Sequence, residues 1–337
     1  MNGNSDNRRL VIGLIGGALL ILMTMVTSIF LVSRRPVVVV VPGGVQAEGS
    51  GQASASAVAP TAGTVAASEA PLPVISVSKI ASVPDMSDPL NPAWESVAVS
   101  EIPLAPQQVA PPTLEKGTVA TLRVQAVRDD SRYAWRLSWE KSKPAESSDV
   151  STFTDAVAMQ FPLVDGAPYT MGGPGLPVRM LYWKAVWQKD VDKGFQGLAG
   201  VHPNSHSDLY WFSEGKEPHA ADGTTDSPQA RQFMVASQSN NPMTDYNRKH
   251  PIEELTAHGF GSGTHVEGTP SRGRGVWSEG RWYVVIDRPV APEDPLIKRF
   301  NESPDKQLIA FAVWDGDNAN RGGVKQITNW IPLTIAQ

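Results

Sequence analysis

Tyr133, Trp135, Leu137 and Trp139 alternate with Arg132, Ala134, Arg136, Ser138 and Glu140. A period of two puts the apolar set on one face of an extended strand and the mostly polar set on the other. The same alternation recurs at Trp282, Val284 and Ile286, after the turn at Glu279–Gly280, and at Ile309, Phe311 and Val313. Thr118–Val127 precedes the first run, and Asp129–Asp130–Ser131 reads as the turn of a hairpin between the two. Phe153–Phe161, Val178–Trp187 and Trp330–Ile335 are further strand candidates. The 28 prolines and 29 glycines break up any long helix. Pro251–His258 is the best short helix candidate, with Glu253 and Glu254 in its first turn. Many short strands with Gly/Pro turns predict a mainly β fold, an antiparallel β-sandwich rather than a βαβ unit.

Ahead of those strands the chain changes character. Leu10–Ser33 holds no charged residue. As a helix it would reach about 36 Å, enough to cross the hydrocarbon core of a bilayer. Arg8–Arg9 precede it and Arg34–Arg35 follow, so flanking charge does not fix its direction. The run is too long for a usual signal-peptide core, which favours a retained anchor over cleavage near Val45–Gln46–Ala47. Pro42 to Pro84 is rich in Ala, Ser, Gly, Val and Pro and has no aromatic residue, as a flexible tether would. All ten tryptophans lie at Trp94 or beyond. The expected organisation is a tail over 1–9, one N-terminal transmembrane helix over 10–33, a tether over 34–84 and a β-sandwich over 85–337. That arrangement implies a membrane-anchored protein with its folded domain on the periplasmic or extracytoplasmic side.

Composition removes several functions. The net charge is -5 and the pI about 5.7, so there is no basic footprint for nucleic acid. With no cysteine, disulfides, thiolate metal sites, iron–sulfur ligation and covalent c-type haem are excluded within this chain. No nucleophile elbow, phosphate loop or dinucleotide fingerprint is present. His202 and His206 are four apart, but Pro203, Asn204 and Ser205 between them read as a turn. They, with His219, His250, His258 and His265, read as surface-loop histidines. Asp315–Gly316–Asp317–Asn318 resembles a fragment of a calcium loop but lacks its later ligands, so a tight turn is the better reading.

Two segments stand apart. Ala310–Phe311–Ala312–Val313–Trp314–Asp315–Gly316 runs into Asn320–Arg321–Gly322–Gly323–Val324–Lys325 and then Trp330. It reads as an apolar strand, a glycine-rich turn presenting one lysine, and another strand. Pro168–Tyr169–Thr170–Met171–Gly172–Gly173–Pro174 offers a methionine in a similar setting. A soft thioether and an amine are a pair of ligands for a haem iron. Against this, most methionines fill gaps in cores, and most lysines are solvated. Met159 is the rival thioether, on a strand whose alternate residues face the core, and Met180 ranks third. Lys184, between Trp183 and Ala185, is the rival amine. To bind iron the amine must lose its proton, which a dry pocket and the iron charge would favour.

A wider set of residues carries a resemblance. Asp88–Pro89 with Trp94, Asp155–Pro162, Met171–Gly172 with Pro177–Val178, and Trp183–Lys184–Ala185 come first. Glu254–Leu255 with Gly259–Phe260–Gly261, Gly273–Trp277 and Gly280–Arg281–Trp282 follow, then Ala310–Lys325 with Trp330. In this order they resemble the haem b-binding gamma subunits of ethylbenzene dehydrogenase and its relatives, among them dimethylsulfide dehydrogenase, selenate and chlorate reductases and nitrite oxidoreductase. The likeness spans Asp85 to Ile335. It implies a β-sandwich holding one haem b between an axial methionine, Met171 here, and an axial lysine, Lys325 here. It also implies a non-catalytic electron-transfer role beside an iron–sulfur beta subunit and a molybdenum catalytic alpha subunit. Arg179 and Arg321 are candidate partners for the haem propionates. The membrane helix and tether depart from the family pattern. A tethered β-sandwich module that binds carbohydrate without haem is the alternative reading.

Overall fold

The computed structural model describes residues 73–83, 88–195, 200–204, 235–239, 241, 245, 248–268 and 270–337. The apolar run Leu10–Ser33, most of the expected tether, and His206 and His219 lie outside the described residues. Among the described residues no helix is long and apolar enough to cross a membrane.

Beside shorter helical turns such as Val235–Gln238, fourteen strands and two helices of eight or more residues frame the described fold. They are β1 (Ile75–Lys79), β2 (Ser100–Pro103), β3 (Ala105–Pro106), β4 (Thr121–Arg128), β5 (Arg132–Glu140), β6 (Ala156–Pro162), β7 (Val178–Lys184), α1 (Ala185–Lys193), β8 (Ile252–Ala257), β9 (Thr264–His265), β10 (Arg272–Ser278), β11 (Arg281–Pro289), α2 (Pro295–Glu302), β12 (Gln307–Trp314), β13 (Gln326–Ile327) and β14 (Ile331–Ile335). The pairing order is β10-β11-β5-β4-β1-β14-β12-β6-β7-β8-β9, with β2 on β4, and β13 joining β12 to β3.

The architecture is mainly β, as the alternation predicts, but the sheet is mixed. Strand β1 runs parallel to both β14 and β4. It also lies within the segment expected to be tether, so the folded region begins before Asp85. The Asp129 hairpin forms as predicted: β4 and β5 pair antiparallel. The Asp129 carboxylate accepts from the Ser131 and Arg132 backbone N–H groups at 2.7 and 2.8 Å.

Trp135, Trp139, Trp282, Val284 and Ile286 from one half of the sheet meet Val157, Met159, Phe161, Leu181, Trp183, Phe311 and Val313 from the other in one buried core. Ring centroids of Trp135 and Phe161 lie 5.5 Å apart, and those of Trp183 and Trp282 lie 4.9 Å apart. Burying side chains of this size contributes about 2–3 kcal/mol each. Gly275 permits the Trp183 contact, because a Cβ there would fall 2.2 Å from the indole. Helix α2 is started by Asp294, whose carboxylate caps the Leu296 N–H at 2.8 Å. Its Phe300 stands 5.2 Å from Tyr133 and 5.4 Å from Phe161, closing one end of the core.

Two predicted elements change type. Pro251–His258 is not a helix but contains strand β8, paired antiparallel with β7. The two glutamates point to opposite faces, and each meets its own partners. Glu254 is fully buried and accepts from Arg179 at 2.8 Å and Arg288 at 2.6 Å. Glu253 lies 3.4 Å from His265. The second change follows β7, which ends at Lys184, so the predicted strand through Trp187 turns into α1 at Ala185.

Candidate functional site

Strands β12, β6 and β7 lie side by side, and their even-numbered residues face away from the core. Ala158, Ala310 and Ala312 are among them, so the outer face here has a floor of small side chains. Above it lies an open cavity of about 70 Å³, lined further by Gln160, Met180, Trp314, Ile327 and Thr328. The lining is mostly apolar, as that of cofactor pockets is. Two larger clefts among the described residues are lined mainly by charged and polar side chains and contain no methionine.

Met171 and Lys325 both line this cavity. Met171 comes from the β6–β7 connection. Its backbone is left-handed, with φ 67°, which costs a non-glycine residue about 1–2 kcal/mol. The loop enforces that conformation. Gly172 N–H donates to the Pro168 carbonyl at 3.0 Å, and Gly259 N–H donates to the Met171 carbonyl at 2.8 Å. The Gln160 amide donates to the Tyr169 carbonyl at 2.9 Å, and the Trp330 indole donates to the Ala167 carbonyl at 2.8 Å. Gly172 has φ 75°, and a Cβ on it would fall 2.5 Å from the Leu176 carbonyl.

Lys325 comes from the β12–β13 connection. The Trp314 indole donates to the Gly322 carbonyl at 3.0 Å and fixes the turn before the lysine. The Lys325 Nζ lies 5.0 Å from the Trp314 ring centroid. Among the described residues no carboxylate pairs with it, and burial lowers its pKa to about 8. Burial therefore brings the neutral form of this amine closer to neutral pH than in an exposed lysine, although the ammonium still predominates at pH 7.

The rival ligands divide. Met159 is fully buried in the core between the layers and does not line the cavity. Met180, ranked third by sequence, does line it. Lys184 precedes the first turn of α1 without a side-chain capping bond, with Nζ 4.2 Å from the Trp187 ring centroid and 4.9 Å from that of Tyr182. Burial lowers its pKa to about 8 as well. Both predicted propionate partners are also displaced. Arg179 shares the core-facing side of β7 with Leu181 and Trp183, and its guanidinium is occupied by Glu254. The same cluster contains Arg288, which binds Asp294 at 2.5 Å. Arg321 is exposed, donates to the Ala319 carbonyl at 2.7 Å and covers the Phe153 ring at 4.5 Å.

The Asp315–Asn318 segment is a turn, as expected, and its carboxylates serve a buried lysine that sequence gave no reason to single out. Lys141 Nζ lies 2.6 Å from Asp315, 3.0 Å from Asp317 and 3.3 Å from Asp155. Burial works against the Lys141 charge, but these aspartates outweigh it and raise the pKa. Asp155 also accepts from the Trp282 indole at 2.9 Å. Among the described histidines, His202, His250 and His258 are exposed. No described group of three or more His, Cys, Asp or Glu residues could hold a metal ion.

The profile of the family described as Ethylbenzene dehydrogenase matches residues 91–326. The chain belongs to this family. The match takes in both cavity-lining loops. A protein of Haloferax mediterranei named as a respiratory nitrate reductase heme subunit is 26% identical over 76% of this chain and 71% of its own length. The chlorate reductase subunit gamma of Ideonella dechloratans is 26% identical over 63% of this chain and 64% of its own. The dimethylsulfide dehydrogenase subunit gamma of Rhodovulum sulfidophilum is 30% identical over 32% of this chain and 43% of its own. The chain therefore spans less than two thirds of the latter two relatives. A family 9 carbohydrate-binding module from Caldicellulosiruptor kristjanssonii, solved with glucose, superposes with a TM-score of 0.34 at 9% identity, covering 78% of this chain and 95% of the module.

Proposed function

We propose that this chain is a non-catalytic electron-transfer subunit whose outer-face cavity holds one haem b, with Met171 and Lys325 as the axial ligands. One observation carries the reading: a thioether and an amine without a carboxylate partner line the same apolar cavity, each on a loop fixed by hydrogen bonds. Family membership and relatives named as haem and gamma subunits support it.

The bound haem would supply one-electron chemistry at its iron. This chain's residues would supply the rest. Met171 and Lys325 together would close both axial positions and leave no open site for a substrate. A neutral thioether favours the ferrous form and raises the potential. The alanine floor and Trp314 would keep water from the ring and lower the local dielectric. The partners in this reading are an iron–sulfur beta subunit and a molybdenum catalytic alpha subunit. Leu10–Ser33 would anchor the assembly in a membrane, with the sandwich on the extracytoplasmic side.

A visible spectrum of the full chain expressed with haem available tests the proposal. A sharp reduced-minus-oxidised b-type spectrum is expected, and Met171→Ala and Lys325→Ala should each abolish the low-spin form. A folded but colourless protein, or variants with an unchanged low-spin spectrum, would overturn it.

A further inference from the structure

Resting on the haem-ligation reading above, we propose that Gln107 is a positioning residue that holds Lys325 at the cavity wall. Gln107 follows β3, whose Pro106 and Ala105 pair with Gln326 and Ile327 of β13. It therefore stands beside Lys325 where the ladder ends. Its backbone N–H donates to the Lys325 carbonyl at 2.9 Å. Its side-chain amide donates to the Gly323 carbonyl at 3.0 Å, two residues upstream.

The remaining bonds of Gln107 anchor it. Its amide also donates to the carbonyls of Ala110 at 2.8 Å and Pro112 at 3.2 Å, and its oxygen accepts from Ala110 N–H at 2.9 Å. Two amide hydrogens serve three acceptors, so one is shared. The residue is 5% exposed in the wall of a mostly apolar cavity. A leucine would satisfy packing there. An amide in that position is costly unless fully bonded, and its bonds converge on the lysine turn.

The mechanical consequence concerns rotamers. A lysine stem has four rotatable bonds and loses much entropy when ordered. Gln107 fixes the backbone at Gly323 and Lys325, and Trp314 fixes it at Gly322 from the other side. The stem then leaves a rigid base, with its amine beside the Trp314 ring.

Gln125 supplies the control. It is also 5% exposed, donates to the Trp94 and Val97 carbonyls at 2.6 and 2.8 Å, and does not line the cavity. Gln107→Leu and Gln125→Leu should lose comparable stability in urea unfolding. In haem-free protein labelled by reductive ¹³C-methylation, the Lys325 resonance should be displaced by the Trp314 ring current. Lys325→Arg assigns that resonance. Gln107→Leu should return it to the bulk lysine position, while Gln125→Leu should leave it displaced. With haem loaded, Gln107→Leu alone should gain a high-spin band and shift its midpoint potential. Should Gln107→Leu fail to fold, Gln107→Glu replaces it, keeping the backbone bond and the acceptor oxygen while losing the amide donor. A wild-type resonance and spectrum in the Gln107 variant, or equal changes in both variants, would overturn the proposal. If wild-type protein takes up no haem, the haem reading fails by itself, and the methyl-lysine resonance still decides the role of Gln107.

Discussion

The Lys325 ammonium lies 5.0 Å from the centroid of the Trp314 ring, and no described carboxylate pairs with it. The ring offers a cation–π contact, yet burial dominates and holds the pKa at about 8.

That pKa makes the lysine a burden to the haem-free fold. The folded value lies below the unfolded one of about 10.4. The unfolded chain therefore binds more protons between pH 8 and that value, and stability rises with pH across this window. Below pH 8 the penalty is fully present. Lys325→Met should stabilise haem-free protein at pH 7 by up to about 3 kcal/mol, and the gain should fade above pH 10. Urea unfolding at both pH values measures it. Lys184 titrates in the same direction, so the quantity to compare is the difference between wild type and variant.

Haem uptake should depend on pH in the same region. The amine sheds its proton to bind iron, so affinity should rise about tenfold per pH unit below pH 8 and flatten above it. Titration with haem followed by absorbance tests this. Lys325→Met should lose the dependence.

Met171 should separate ligation from backbone strain. Met171→Ala removes the sulfur and keeps the left-handed residue. Met171→Gly removes both and should be more stable than the alanine variant by about 1 kcal/mol. Denaturation gives the order of stability, and both variants should lose the wild-type low-spin spectrum.

Lys141→Met should be severely destabilising, by about 3–5 kcal/mol, because it leaves buried aspartates without their cation. The deficit relative to wild type should shrink as pH falls and the carboxylates take up protons, Asp155 first, because burial already raises its pKa and loss of Lys141 raises it further. Thermal unfolding from pH 7 to pH 3.5 follows it.

What the sequence disclosed was local. Trp135 and Trp139 revealed their strand because side-chain direction in a strand depends only on residue parity. Met171 and Lys325 stand out in the sequence through their glycine-rich turns and the family resemblance, and the structure brings both to one cavity. Strand β1 was missed, since only Ile75 and Val77 face inward and one partner, β14, is distant in sequence. Glu253–Glu254 suggested a helix, yet pairing with β7 sends Glu254 to Arg179 and Arg288 on the core face and Glu253 to the field of Lys184 on the other. Parity could have corrected Arg179, which shares the core-facing side of β7 with Leu181 and Trp183. Gln107 and Lys141 had no local signal, because the partners that matter, Gly323 and Lys325 for the one and Asp155, Asp315 and Asp317 for the other, lie in remote segments.

The methionine loop leaves the sheet where β6 ends at Pro162, whereas the lysine turn follows Trp314 of β12, which pairs with Ala156 at the other end of β6. The two loops therefore rise from opposite ends of the same strands, and the frame between them is measured along the chain direction, at about 3.3 Å per residue. Such a frame is stepped rather than elastic, so evolution can retune the jaws only by reshaping their tips.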